Sequence, residues 1–435
     1  MIGGRTVFAC VLLVAFSGMA SEKARVITLE QAYDRTLSSD QSIRIAYIEI
    51  LKANLLPWSA LTKFGPRITA GASYNHVETT TQYYNNPTLG ILDAQNANLS
   101  LNQPLIDFTF FPAFKLGKLT VQSNRLQYQL TIRNVLFGVA KAYYEVLKEQ
   151  QIVLLDKNTL GLALNQLQLS QNQYDAGAVS KVDILRARSS VETAQQTLIV
   201  DQNILESDRN TLANTLNLHG REREFEVKQP ADAVGPVGSF DENLATAYAD
   251  REDYKISMIA IQQSKEQRNE VIGQYAPTVN AQFTENWADS REGPGSQAWA
   301  GLISVQIPIF TGGQREIDLR SAHLNINESK VNLETTQKTV ETDVNTTWLQ
   351  VETLRETIVS LTAQVKADEQ NYQDLQNQYE AGAATSLDTQ NALNQLASSR
   401  TRLITQTYQY QVVRRDLERA TAVFQNQRVK KAKVP

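Results

Sequence analysis

Gln171-Asn-Gln-Tyr-Asp-Ala-Gly-Ala-Val-Ser-Lys-Val-Asp183 returns almost unchanged as Gln376-Asn-Gln-Tyr-Glu-Ala-Gly-Ala-Ala-Thr-Ser-Leu-Asp388. Each copy reads as a helix stop joined to a helix start. Gly177 and Gly382 can take the left-handed conformation that closes a helix. Ser180-x-x-Asp183 and Thr385-x-x-Asp388 are capping-box patterns that open the next one. Long apolar repeats run into and out of both copies, so the chain holds two helical hairpins and an internal two-fold repeat.

The first hairpin has the stronger periodic signal. Steps of four and three from Ile132 meet Leu136, Val139, Tyr143, Val146, Gln150, Val153, Lys157, Leu160, Leu164, Leu167, Gln171 and Tyr174. A mean spacing of 3.5 belongs to a supercoiled helix pair. Ile184, Ala187, Val191, Ala194, Leu198 and Leu205 form the return seam, interrupted by Asp201. The second hairpin runs in through Val351, Leu354, Ile358, Leu361 and Tyr372 and out through Ala392, Leu396, Leu403 and Leu417. The stretch from about Phe114 to Tyr174 gives a rod on the order of 90 Å at about 1.5 Å per residue.

Ahead of each hairpin the period changes to two. Ile68, Ala70, Ala72 and Tyr74 alternate with polar or small residues, and after a turn-rich segment with Asn85, Pro87 and Gly90 the alternation resumes at Ala97, Leu99 and Leu101, ending at Pro104. Val279, Ala281, Phe283 and Trp287 repeat it, broken by Glu285, followed by Trp299, Ile303, Val305 and Ile307 before Pro308. Strands of roughly 10 to 13 residues can cross a bilayer when tilted. An open sheet in lipid leaves backbone groups unsatisfied, so four strands imply oligomerisation. Three copies supply a closed twelve-stranded barrel; two would supply eight, whose interior fills with side chains. The fold class is therefore a mixed membrane α/β protein with four transmembrane strands per protomer and long coiled-coil hairpins.

The division expected is a signal peptide over 1–20, a first repeat over 21–218 with strand pair 66–104, a linker over 219–240, a second repeat over 241–424 with strand pair 277–308, and a basic flexible tail over 425–435. Arg5, the apolar run Val7 to Phe16 and the small residues before Ala20 carry the signal-peptide reading; Cys10, the one cysteine, leaves with it. Single amphipathic helices are expected from 29 to about 56 and from 241 to 274.

Net charge −4 disfavours nucleic acid as a partner. Enzymatic readings find no footing. His76, His219 and His323 are scattered without a second ligand at metal spacing, and Gly117-Lys118 lacks the rest of a phosphate loop. No metal, cofactor or catalytic residue is expected.

The signal peptide, Ile27-Thr-Leu-Glu-Gln-Ala32, Pro66 at a strand start, Pro308-Ile-Phe-Thr-Gly-Gly313 and the two Tyr-x-x-Gly tips together resemble the TolC-like outer-membrane efflux protein family. The resemblance implies a homotrimeric outer-membrane channel extending into the periplasm, which docks through a periplasmic adaptor onto an inner-membrane transporter. It exports small molecules or polypeptides and opens like an iris at its periplasmic end. It further implies that Asp388 narrows the entrance, with Asn391 at the place of a second acid, and that Asp183 and Tyr379 join the closing contacts. Ala384 stands where a family member has a basic residue. Gly177, Ala178, Gly382 and Ala383 become adaptor-contact tips, and Trp287 and Trp299 aromatics at the interface with outer-membrane lipid. A periplasmic coiled-coil adaptor or structural protein without a pore is the competing reading; it would need neither the doubled architecture nor the strands.

Overall fold

The computed structural model describes residues 25–83, 86–230, 237–290 and 293–431. The signal peptide with Cys10, the turn residue Asn85, linker residues 231–236 and tail residues 432–435 lie outside the described residues. The first half comprises β1 (Arg25–Ile27), α1 (Leu29–Ser39), α2 (Gln41–Lys63), β2 (Arg67–Tyr83), β3 (Asn86–Ile106), α3 (Phe110–Asp175) and α4 (Lys181–Thr215). A 3-10 turn and β4 (Phe225–Val227) lead to α5 (Phe240–Asp250), α6 (Glu252–Gly273), β5 (Thr278–Ser290), β6 (Gly293–Gln306), α7 (Gln314–Glu380), α8 (Ser386–Ala420) and α9 (Asn426–Lys431).

The helical wall is not built from four equal rods. α3 and α7, of 66 and 67 residues, run its full length, whereas α4 and α8 have 35 each and accompany only the tip-ward half. α2 and α6 complete the other half: α2 packs on α3, and α6 lies between α3 and α7, in line with α8 below it. Each expected single amphipathic helix is thus two. Asp40 is extended and caps α2 by accepting the Ile43 N–H at 3.0 Å. Arg251 makes the corresponding break between α5 and α6. An apolar face that continues on both sides of such a residue hides the break from a periodicity reading. Pro57 sits inside α2, and there Gly117 of α3 comes so close that a Cβ on it would stand 2.8 Å from the Pro57 nitrogen.

β2, β3, β5 and β6 form one antiparallel sheet in that order. β2 and β3 pair from Arg67↔Asn102 out to Tyr83↔Asn86, so the segment read as turn-rich is largely strand, and this hairpin projects beyond the end of the β3–β5 ladder at Ala94↔Ser290. Pro104 does not end β3. It has no N–H for the ladder, so the register shifts between Pro104 and Ile106 and pairing resumes. Ile68, Ala70 and Ala72 share a face with Leu101, Leu99 and Ala97 and with Phe283, Glu285 and Trp287, as register and alternation require. The opposite face is polar: Thr69 and Ser100 hydroxyls meet at 2.6 Å, flanked by Asn96, Asn98 and Asn102.

Where the half-length helices meet, α1, α4 and α9 close a core around Tyr33, Leu136, Val139, Tyr143, Leu216 and Phe424. β1 and β4 pair in parallel beside it, three residues each, a contact that a reading of the linker as irregular misses. The Tyr143 hydroxyl donates to the Lys228 carbonyl at 2.6 Å and accepts its N–H at 3.0 Å, fastening this strand pair to α3. The start of the tail is helical and packed against the core. Phe424 and Val429 are each 1% exposed, and Arg428 pairs with Asp34 at 3.1 Å and with Glu30. A basic segment reads as a loose end until the acids of α1 are placed beside it.

Candidate functional site: the hairpin tips

Both tips close by the same backbone bonds. Ala178 N–H donates to the Gln173 carbonyl at 2.8 Å and Gly177 N–H to that of Tyr174 at 2.9 Å; Ala383 to Gln378 and Gly382 to Tyr379 repeat this at 2.8 and 3.0 Å. This is the Schellman arrangement, and it requires positive φ at the glycine. Gly177 has φ +74° and Gly382 +75°. With Ala178 and Ala383 they lie exposed at the end of the wall.

The next helices open as their spacing predicts. The Asp183 carboxylate accepts the Ser180 N–H at 3.1 Å and hydroxyl at 2.8 Å, and it lies 3.7 Å from Arg186. The Asp388 carboxylate accepts the Thr385 hydroxyl at 2.6 Å and N–H at 3.1 Å. Those two bonds, the hydroxyl first, hold the Asp388 carboxyl below its ordinary value. Because the folded value is lowered, the cap's contribution is fully present above the ordinary carboxylate range and is lost only as pH falls through the lowered value. Asp388 therefore keeps its charge at every physiological pH. Thr385→Ala is expected to cost about 1 kcal/mol of local helix stability, seen as faster amide exchange over residues 386–390.

The candidate gate residues divide into two groups. Asp183 and Tyr379 meet in a crevice of about 450 Å³ between the two tips, together with Gln173, Arg186 and Gly382. Asp388 and Asn391 are not part of it. One helical turn apart on α8, they are exposed, while Ser386, Thr389, Leu393 and Leu396 on the same helix are buried. This spacing puts the acid and the amide on one free face.

Tyr379 is the contact that ties the hairpins together. It is 2% exposed; its hydroxyl lies 3.1 Å from Ser170 Oγ, and its carbonyl accepts Gln173 Nε2 at 3.2 Å. The repeat partner Tyr174 is 41% exposed, so one of two equivalent tyrosines is spent within the protomer and the other faces outward. No motif marks Ser170, and Gln173 belongs to the tip repeat without a role assigned by it. The repeat holds a signal for the first: Ser170 stands where the second hairpin has Leu375, a hydroxyl at a seam position.

At the opposite end Trp287 and Trp299 occupy the apolar sheet face. Trp299 is 73% exposed and stacks on Phe283 at 6.1 Å between centroids. Glu285 stands on the same face and is engaged by Gln297 at 2.6 Å. Among the described residues, no group of three or more His, Cys, Asp or Glu is placed to hold a metal, and no helix is long and apolar enough to cross a membrane.

A family model described as outer membrane efflux protein matches residues 32–218 and 245–423. The outer membrane efflux protein BepC of Brucella suis is 22% identical over 355 residues, 79% of this chain and 74% of that one. The outer membrane protein TolC of Escherichia coli is 20% identical over 380 residues, 83% and 75% of the two chains. A solved membrane protein from Pseudomonas aeruginosa superposes with a TM-score of 0.79 over 90% of each chain at 17% identity, a likeness of fold.

Proposed function

Because the chain belongs to the outer membrane efflux protein family, an outer-membrane channel family, we propose that it is the trimeric outer-membrane conduit of a tripartite export system. The observation that carries this is the four-stranded sheet with one apolar and one polar face, whose outer strands β2 and β6 have no further partner among the described strands. In hydrocarbon those edges cost several kcal/mol per unsatisfied group. Three copies joined edge to edge satisfy them and give a barrel with Asn96, Asn98 and Asn102 lining water and Phe283, Trp287 and Trp299 facing lipid. The α3–α4 and α7–α8 hairpins then continue the barrel as a tube into the periplasm.

In this reading the tips are the mouth. Gly177, Ala178, Gly382 and Ala383 present backbone and small side chains to a periplasmic adaptor, which couples the tube to an inner-membrane transporter. Opening separates the α7–α8 tip from α3 at Tyr379, as an iris would, and carries Asp388 and Asn391 away from the axis. Small molecules or polypeptides then pass outward.

The purified full-length protein is expected to run as a detergent-stable trimer that dissociates on heating, and to give defined single-channel steps in planar bilayers. A monomer soluble without detergent and silent in bilayers would overturn the reading in favour of a coiled-coil protein without a pore.

A further inference from the structure

The two hairpins align residue for residue. α3 ends at Asp175 and α7 at Glu380, while α4 begins at Lys181 and α8 at Ser386. At four aligned positions the second hairpin has Leu354, Leu361, Gln406 and Val413, where the first has Glu149, Asp156, Asp201 and Asp208. Leu354 and Leu361 are buried, as a coiled-coil seam demands. Glu149 and Asp156 are equally buried, 6% and 8% exposed, although each is an acid with an acid from α4 acting on it.

The two acidic layers are not alike. Lys148 Nζ lies 3.0 Å from Glu149 and 2.5 Å from Glu145, and its charge also reaches Asp208. Among the described residues no cation acts on Asp156 in this way. The groups acting on it are Asp201 from α4 and Glu149 from its own helix. Across the cavity of about 240 Å³ that it lines, α8 presents Gln390, Asn394, Ser398 and Thr401, all neutral. Thr159, Thr193 and Thr401 on the same walls have already donated their hydroxyl hydrogens to carbonyls one turn back. Asp156 Oδ2 is buried without a hydrogen-bond partner. A buried carboxylate with a second, half-buried one beside it cannot ionise cheaply, so a shared proton is what this arrangement lacks. Burial, followed by the neighbouring Asp201 carboxylate, pushes the Asp156 carboxyl up to about 7.

We propose that the α3–α4 hairpin is a proton-responsive part of the helical wall: a proton shared between Asp156 and Asp201 holds the two helices together, and its loss loosens them. The sign follows from the raised value. Stability from this pair is greatest below the ordinary carboxylate range, falls as pH rises, and levels off above about 7, where the folded state has also lost the proton. The α7–α8 hairpin, with Leu361 and Gln406 in the same places, does not respond. Acid therefore tightens one half of the wall and leaves the other unchanged.

Hydrogen exchange by mass spectrometry on the full-length protein tests this between pH 5 and 8.5, with labelling times corrected for intrinsic exchange. Peptides around 156 and 201 are expected to lose protection by up to about tenfold per pH unit and to level off near neutrality, the slope of a single linked proton. Peptides around 361 and 406 should stay flat. Asp156→Leu, the residue of the second hairpin, should abolish the slope, and Asp201→Gln, which leaves Asp156 buried, should weaken it. An equal response from both hairpins, or a slope that survives Asp156→Leu, would overturn the proposal.

Discussion

Glu252→Ala is expected to lower the unfolding free energy by about 3–5 kcal/mol, the cost of stranding a buried charge. Arg133 is 2% exposed and Glu252 5%, and the guanidinium reaches the carboxylate at 2.5 and 3.3 Å. Its third nitrogen, Nη1, donates to the Phe424 carbonyl at 2.6 Å. One arginine thus joins α3 of the first half, the start of α6 in the second half, and the turn that leads into α9. Without the glutamate the guanidinium stays in an apolar shell with a single partner. The double replacement Arg133→Met with Glu252→Leu removes both charges and should restore most of the loss, since a well-packed apolar pair is often no worse than a buried ion pair. Thermal melts of helical circular dichroism in detergent measure both. A loss below about 1 kcal/mol for the single variant is the value expected of a solvated pair, and would show that water reaches this site.

The parts of the fold legible in the sequence were those decided locally. Gly177 and Gly382 close helices through backbone geometry that needs no distant partner, and Ser180-x-x-Asp183 and Thr385-x-x-Asp388 satisfy N–H groups within one turn. The strands were legible because a sheet with one apolar face imposes a period of two. Longer-range facts were not. The 3.5 spacing from Ile132 matches the buried stripe through Val153, after which burial moves to Asp156, Ala163, Gln166 and Ser170, because α3 passes from the central core into contact with α8. The β1–β4 pairing, the half-length of α4 and α8 and the anchoring of Arg428 all depend on neighbours remote in the chain. Tyr174 and Tyr379 make the point most directly: they share almost the same local sequence but have opposite burial, so what decides the clasp is the helix each tyrosine meets.

Tyr379→Phe is expected to favour the open channel by about two orders of magnitude. The hydroxyl removed is the one shared with Ser170 Oγ at 3.1 Å, and Ser170 is fully buried, so the serine is left without that partner. A hydrogen bond of this kind contributes about 1 kcal/mol net. If three clasps break together when a trimer opens, the closed state loses about 3 kcal/mol, and about 1.4 kcal/mol corresponds to tenfold. The Gln173 to Tyr379 backbone contact survives the substitution, so the tip keeps its fold and only the closing equilibrium moves. Ser170→Ala removes the same bond from the other side and should have a similar effect. The double variant should add little to either single one, because the interaction is counted once. Open probability and conductance in planar bilayers report all three. If none of the variants differs from the wild type, the α3–α7 contact persists in the open state, and opening must take place at another surface of the tips.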